Sequence, residues 1–143
     1  MSIKRFVSFL VVMVLLMACA CAEGFTPAAP LAEWNPEDFD GTWRMFYRID
    51  GGEGKSTAGA EIQISMVIDG NSAEHIVTIN EDVHTIPVDI EYTAENAILT
   101  YTGDYVSTAD AMLLEDGTMQ WHQEADDIVV ESYLYFEKVE PEA

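Results

Sequence analysis

The chain has 143 residues, with 26 Asp or Glu against 6 Lys or Arg, a formal charge of −20. Residues 1–22 hold Lys4 and Arg5 and no acid, so beyond them the balance is 26 acids against 4 bases, or −22. Such an excess excludes a sequence-independent nucleic-acid binder, which works through clustered Lys and Arg, and makes an anionic membrane surface a poor electrostatic partner.

Residues 1–5 are short and basic, and 6–17 are almost unbroken apolar sequence. This is the make-up of an export signal, and it is short for a membrane-spanning helix. A signal is therefore expected over 1–22, a tether over 23–33 and one folded domain over 34–140. Two processing readings stay open. Ala20-Cys21-Ala22 fits cleavage before Glu23. Leu16-Met17-Ala18-Cys19 resembles the bacterial lipobox, with Cys19 as the lipidated residue; Cys21 fits less well, because Ala18 stands three residues before it. Lipidation at Cys19 is favoured. The chain has only 2 cysteines, both in this segment, so the domain holds no disulfide framework. The expected location is the cell envelope, with the membrane reached by the lipid anchor alone and secretion as the alternative. Residues 24–33, rich in Ala and Pro and without periodicity, read as the tether.

The folded part, about 105 residues, is long enough for one domain with a real core. Asn35-Pro36-Glu37-Asp38-Phe39 offers an N-cap, a Pro at the first helical position and early acids, so it reads as one helical turn. From Thr42 the apolar pattern has period two. The first strand, 42–49, sets Trp43, Met45, Tyr47 and Ile49 on one face. The second, 61–68, does the same with Ile62, Ile64, Met66 and Ile68, and Asp69-Gly70-Asn71 is a hairpin signal. The third, 74–79, turns His75, Val77 and Ile79 inward, and Glu81-Asp82 reverses the chain. The fourth, 83–92, carries Ile86, Val88, Ile90 and Tyr92 on one face, and Pro87 demands a bulge or a gap in pairing. The fifth is 97–103, the sixth 111–114, and Glu115-Asp116-Gly117 is a tight turn. The seventh, 118–123, sets Met119 and Trp121 opposite Gln120 and His122; the eighth, 128–139, aligns Val130, Leu134 and Phe136. Eight short strands joined by next-neighbour turns predict an all-β chain, a single eight-stranded antiparallel up-and-down barrel that closes its own edges. The longest connection is 50–60.

A helical turn, then Asp40-Gly41-Thr42-Trp43 opening the first strand, then a long first loop, resembles the lipocalin and calycin pattern, and in particular the small exported lipocalin-like domains of bacteria. The resemblance covers about residues 34–139, by layout more than by identity. It implies that a basic residue from the end of the barrel packs across Trp43. Lys138 is that residue here, and Gly41, Trp43 and Lys138 form a structural motif and not a catalytic one. In such a barrel the last strand closes against the first, so the far end is the mouth. The inward residues nearest it are Tyr47, Ile49, Ile62, Ile79, Ile86, Tyr101, Trp121 and Val130. The resemblance implies that they hold a small apolar or amphipathic ligand, beneath the 50–60 loop. The alternative is a barrel filled by its own side chains, serving as a protein-interaction or inhibitor domain at the cell surface. Avidin-like barrels also open on Gly-Thr-Trp, but the tryptophan-rich biotin set is missing.

Other chemistry is set aside. Gly54-Lys55-Ser56 resembles the end of a phosphate loop, yet Ile49 stands where the first glycine is needed. His75, His84 and His122 have no zinc spacing, although neighbouring strands could bring His75 and His84 together. No Gly-x-Ser-x-Gly is present, and acid pairs such as Asp126-Asp127 fall in turns. Tyr133 and Tyr135 face away from Leu134 and Phe136 and form a candidate outer aromatic patch. The expectation is a binding protein and not an enzyme, without metal or cofactor. Its charge favours neutral, apolar or cationic cargo over anionic.

Overall fold

The structure, a computed structural model, describes residues 25–57, 61–102, 106–125, 127 and 129–140. The expected signal and Cys19 lie outside them. A 3-10 turn, Pro36–Phe39, precedes β1 (Gly41–Asp50), β2 (Glu53–Ser56), β3 (Ile62–Asp69), β4 (Ser72–Ile79), β5 (Asp82–Tyr92), β6 (Ala97–Thr102), β7 (Val106–Leu113), β8 (Met119–Gln123) and β9 (Ser132–Val139). The sheet runs β1-β3-β4-β5-β6-β7-β8-β9, each strand antiparallel to the next, and β1 pairs again with β9. The result is a closed eight-stranded up-and-down barrel, with β2 as a ninth strand hanging from the outer half of β1.

Alternation sends one face of each strand into a single core. Trp43, Met45, Met66, Leu99, Met119 and Phe136 are almost wholly buried there. Each such side chain contributes about 1.5–3 kcal/mol through removal from water. One end of the barrel is plugged. The Trp34 and Phe39 rings meet edge to face at 5.2 Å, and Phe39 lies 5.5 Å from Tyr92. The Trp43 indole donates to the Phe39 carbonyl at 2.8 Å, and Tyr92 Oη donates to the Gly70 carbonyl at 2.6 Å. The Gly70 N–H in turn donates to Asp40 Oδ1 at 2.8 Å.

Gly41 and Lys138 belong to the same end. Trp43 pairs with Lys138 across the β1–β9 seam, and Lys138 Nζ stands 5.1 Å from the centre of the indole. Gly41 has φ +130°, and a Cβ there would come within 3.3 Å of Lys138 Cε. The position therefore needs glycine twice, for its backbone and for the lysine stem that crosses it.

Several expected boundaries move. The 50–60 connection is not one loop over the mouth. Gly51 and Gly52, at φ +57° and +88°, turn the chain back so that β2 pairs with β1 from Tyr47↔Ser56 to Asp50↔Glu53. The turn before β5 is Asn80-Glu81, one residue earlier than Glu81-Asp82, since Ile79 pairs with Asp82 and both turn residues have positive φ. Pro87 makes no bulge; the β5–β6 ladder stops at Val88↔Tyr101, so Pro87 sits just past its end. The sixth expected strand begins five residues sooner, as β7. Of the expected tether, residues 25–31 are docked and not free. Leu31 N–H donates to the Leu113 carbonyl and Glu115 N–H to the Ala29 carbonyl, both at 2.8 Å. Phe25 packs on Phe46, Tyr47 and Tyr135 on the outside of the barrel.

Candidate functional site

The unplugged end opens where β1, β4, β6 and β8 finish and β3, β5, β7 and β9 begin. A cavity of about 240 Å³ descends from it. Ile64 and Leu134 supply its aliphatic wall and Tyr101 and Trp121 its aromatic wall, while Arg48, His75, Ser107, Gln123 and Ser132 supply polar groups. An engineered apolar cavity of about 150 Å³ holds benzene, so this space suits a molecule of one ring and a substituent.

A β-bulge decides which residues of β1 reach the cavity. The β1–β9 register shifts between Met45↔Phe136 and Tyr47↔Tyr135, leaving Phe46 as the extra residue. Beyond the bulge the phase is inverted. Arg48, paired with inward Leu134, now points into the barrel. Tyr47 and Ile49 point out, into a second cluster with Leu114 and Tyr135. The expectation that Tyr47 and Ile49 line the mouth is therefore corrected, and Arg48 takes their place. Tyr47 is buried there because β2 and residues 25–31 cover it, not because it faces the core.

The other expected residues divide. Tyr101 and Trp121 line the cavity. Ile62 and Ile79 keep the inward phase but stand at the rim, 41% and 38% exposed. Ile86 is half-buried against the core, opposite His75. Val130 lies before β9 begins and is 58% exposed, so it belongs to the connection and not to the wall.

The buried polar centre of the cavity is His75. It is 6% exposed, and its Nδ1 lies 2.6 Å from the Tyr101 oxygen. Trp121 Nε1 donates to the same oxygen at 2.7 Å. An indole N–H only donates, so the phenol accepts there and keeps its own O–H for a further partner, with His75 Nδ1 in reach. In the arrangement where the phenol O–H is given to Nδ1, the imidazole hydrogen stands on Nε2. Burial pulls the His75 pKa down to about 4, so the ring is neutral near pH 7. Burial likewise pushes the Tyr101 phenol up, against the hydrogen bond from Trp121.

Arg48, the charge at the cavity, is already matched. Its Nε and Nη2 donate to the two carboxylate oxygens of Asp50, and Ser132 Oγ donates to Asp50 Oδ1 at 2.9 Å. Burial alone would raise the Asp50 pKa; the hydrogen bonds from Arg48 and Ser132 and the charges of Arg48 and Lys55 outweigh it and hold it low. No carboxylate lines the cavity among the described residues.

His84 does not join His75 in a site. Val77 is its cross-strand partner, and no group of three His, Asp or Glu side chains placed to hold a metal ion occurs among the described residues. His122 instead forms a cluster on the outer face. Its Nδ1 lies 3.1 Å from Asp110 Oδ1 and its Nε2 3.1 Å from Glu131 Oε2, while the ring stacks on Tyr133 at 4.5 Å. Sequence reading missed this cluster, because Asp110, His122 and Glu131 meet only through the β7–β8–β9 register. Tyr133 and Tyr135 do face outward, but Tyr135 is buried beneath Phe25.

Comparison of the chain with family models, with curated proteins and with solved structures gives no match.

Proposed function

We propose that this chain is an exported lipocalin-like binding module that holds a small apolar or amphipathic ligand at the open end of its barrel. The observation that carries this reading is the cavity of about 240 Å³, which has an apolar wall, a few convergent polar groups and a mouth at one end only. The module binds without chemistry. Export and attachment to the cell envelope through a lipid on Cys19 are part of the proposal. The apolar end of an amphipathic ligand rests on Ile64 and Leu134, and its polar end meets Gln123 and Ser132 near the rim. Native mass spectrometry of gently purified protein tests this. The expected result is a small-molecule adduct on the wild type that is absent from Ser107→Phe, in which a ring fills the cavity. Identical spectra for the two proteins contradict it.

The rim favours a second reading. Ile62, Ile79, Val83 and Val130 are exposed apolar side chains around the mouth. A protein partner docking on them would make the barrel an interaction or inhibitor domain. A pull-down from envelope extracts that recovers one partner with the wild type and not with Ile79→Asp would favour it.

A further inference from the structure

We infer that the cavity selects an uncharged, single-ring molecule with a hydrogen-bond acceptor on or beside the ring, held by the His75 Nε2–H. The inference rests on the binding reading above and narrows it to a ligand class.

Three observations converge. His75 lines the cavity from the middle of β4, below the rim. Its Nδ1 is occupied by Tyr101, and no described residue takes the Nε2 hydrogen. No fully buried side-chain nitrogen or oxygen lacks a partner among the described residues, so Nε2 is not sealed in the core; the small exposed part of the side chain reaches the cavity. A donor on a wall that also carries Ile64, Leu134, Tyr101 and Trp121 gains from a matched acceptor. A ligand that supplies a carbonyl or ether oxygen there gains selectivity over its hydrocarbon analogue.

Charge works against ions of either sign. Among the described residues no carboxylate lines the cavity to receive a cation, and the imidazole, whose pKa burial lowers to about 4, offers no charge to an anion. The Arg48 guanidinium is held by both oxygens of Asp50, so an anion must displace that carboxylate. The chain's charge of −20 repels anions at long range as well.

Four ring-sized probes separate the possibilities, with affinity read by titration calorimetry. They are acetophenone (a neutral acceptor), ethylbenzene (the same shape without the acceptor), benzoate and benzylammonium. Acetophenone is expected to bind about three- to tenfold tighter than ethylbenzene, in line with one hydrogen bond, and both charged probes more weakly. In His75→Phe that preference should vanish while ethylbenzene binding persists. A measurement on the wild type alone guards against a variant that folds poorly: imidazole ¹⁵N shifts should show His75 neutral with its hydrogen on Nε2. Equal binding of acetophenone and ethylbenzene, tightest binding of a charged probe, or a hydrogen on Nδ1 each overturns the inference and leaves the binding module standing. Failure of all four probes to bind overturns both.

Discussion

One oxygen, that of Tyr101, organises the chemistry of the cavity. It accepts from Trp121 and meets His75, a histidine that burial keeps neutral in a wall of mixed apolar and polar side chains. That arrangement has a pH signature. The folded pKa of about 4 lies below the ordinary value of 6.5, so the unfolded chain takes up the proton first as pH falls. The neutral ring costs nothing above about pH 6.5. Between there and about 4 the fold loses up to about 3 kcal/mol, and the loss then levels off. His122 has the opposite sign. Its burial alone would lower its pKa, but hydrogen bonds and charges from Glu131 and Asp110 raise it. Its stabilisation is complete below 6.5 and fades as pH rises through the folded value. Urea unfolding of the wild type and His75→Phe across pH 4–7 isolates the His75 part. The difference between them should change by about 3 kcal/mol against the wild type as pH falls; a flat difference contradicts a buried neutral His75.

At the scale of elements, the bulge at Phe46 matters most. Alternation made every barrel strand legible, because each buries one face. A single extra residue is invisible to that pattern, yet it inverts everything beyond it. So by alternation alone Tyr47 and Ile49 read as inward and Arg48 as outward. One signal was present. Met45-Phe46-Tyr47 is apolar on both faces, and a strand that is apolar on both sides is covered on both sides. The cover is β2 together with residues 25–31, and Gly51-Gly52, a strong two-residue hairpin signal, announced β2. Gly54 tests this outer layer. It lies in β2 against the Tyr47 ring, and a Cβ there would overlap the Tyr47 hydroxyl. No left-handed backbone is needed at Gly54, so Gly54→Ala probes the packing alone. It should cost about 1–3 kcal/mol in urea unfolding and disturb the near-ultraviolet signal of the tyrosines. Unchanged stability would mean that Tyr47 is not clamped between β2 and Phe25.

At the scale of the whole molecule, the two ends of the barrel are built for different tasks. The plugged end uses its aromatics for closure, with Trp34, Phe39 and Tyr92 packed edge-on and tilted against one another, Trp43 tied to the Phe39 carbonyl and Lys138 lying over the indole. The open end keeps a cavity and places its matched charge pair, Arg48 with Asp50, beside it. Acids such as Glu61, Asp89 and Glu91 stay exposed on the outer surface and out of the cavity. The closed barrel was legible in the sequence because turn spacing and alternation determine it. The cavity was not, because its volume depends on how Tyr101, Trp121 and His75 share hydrogen bonds across strands far apart in sequence. The most direct test of a ligand-binding barrel is a methyl-NMR titration with acetophenone. Saturable shifts at Ile64 and Leu134, with Ile68 at the plugged end and Leu114 on the outer face unmoved, are the predicted result. No saturable shift at Ile64 and Leu134, or shifts centred on Leu114, would contradict it.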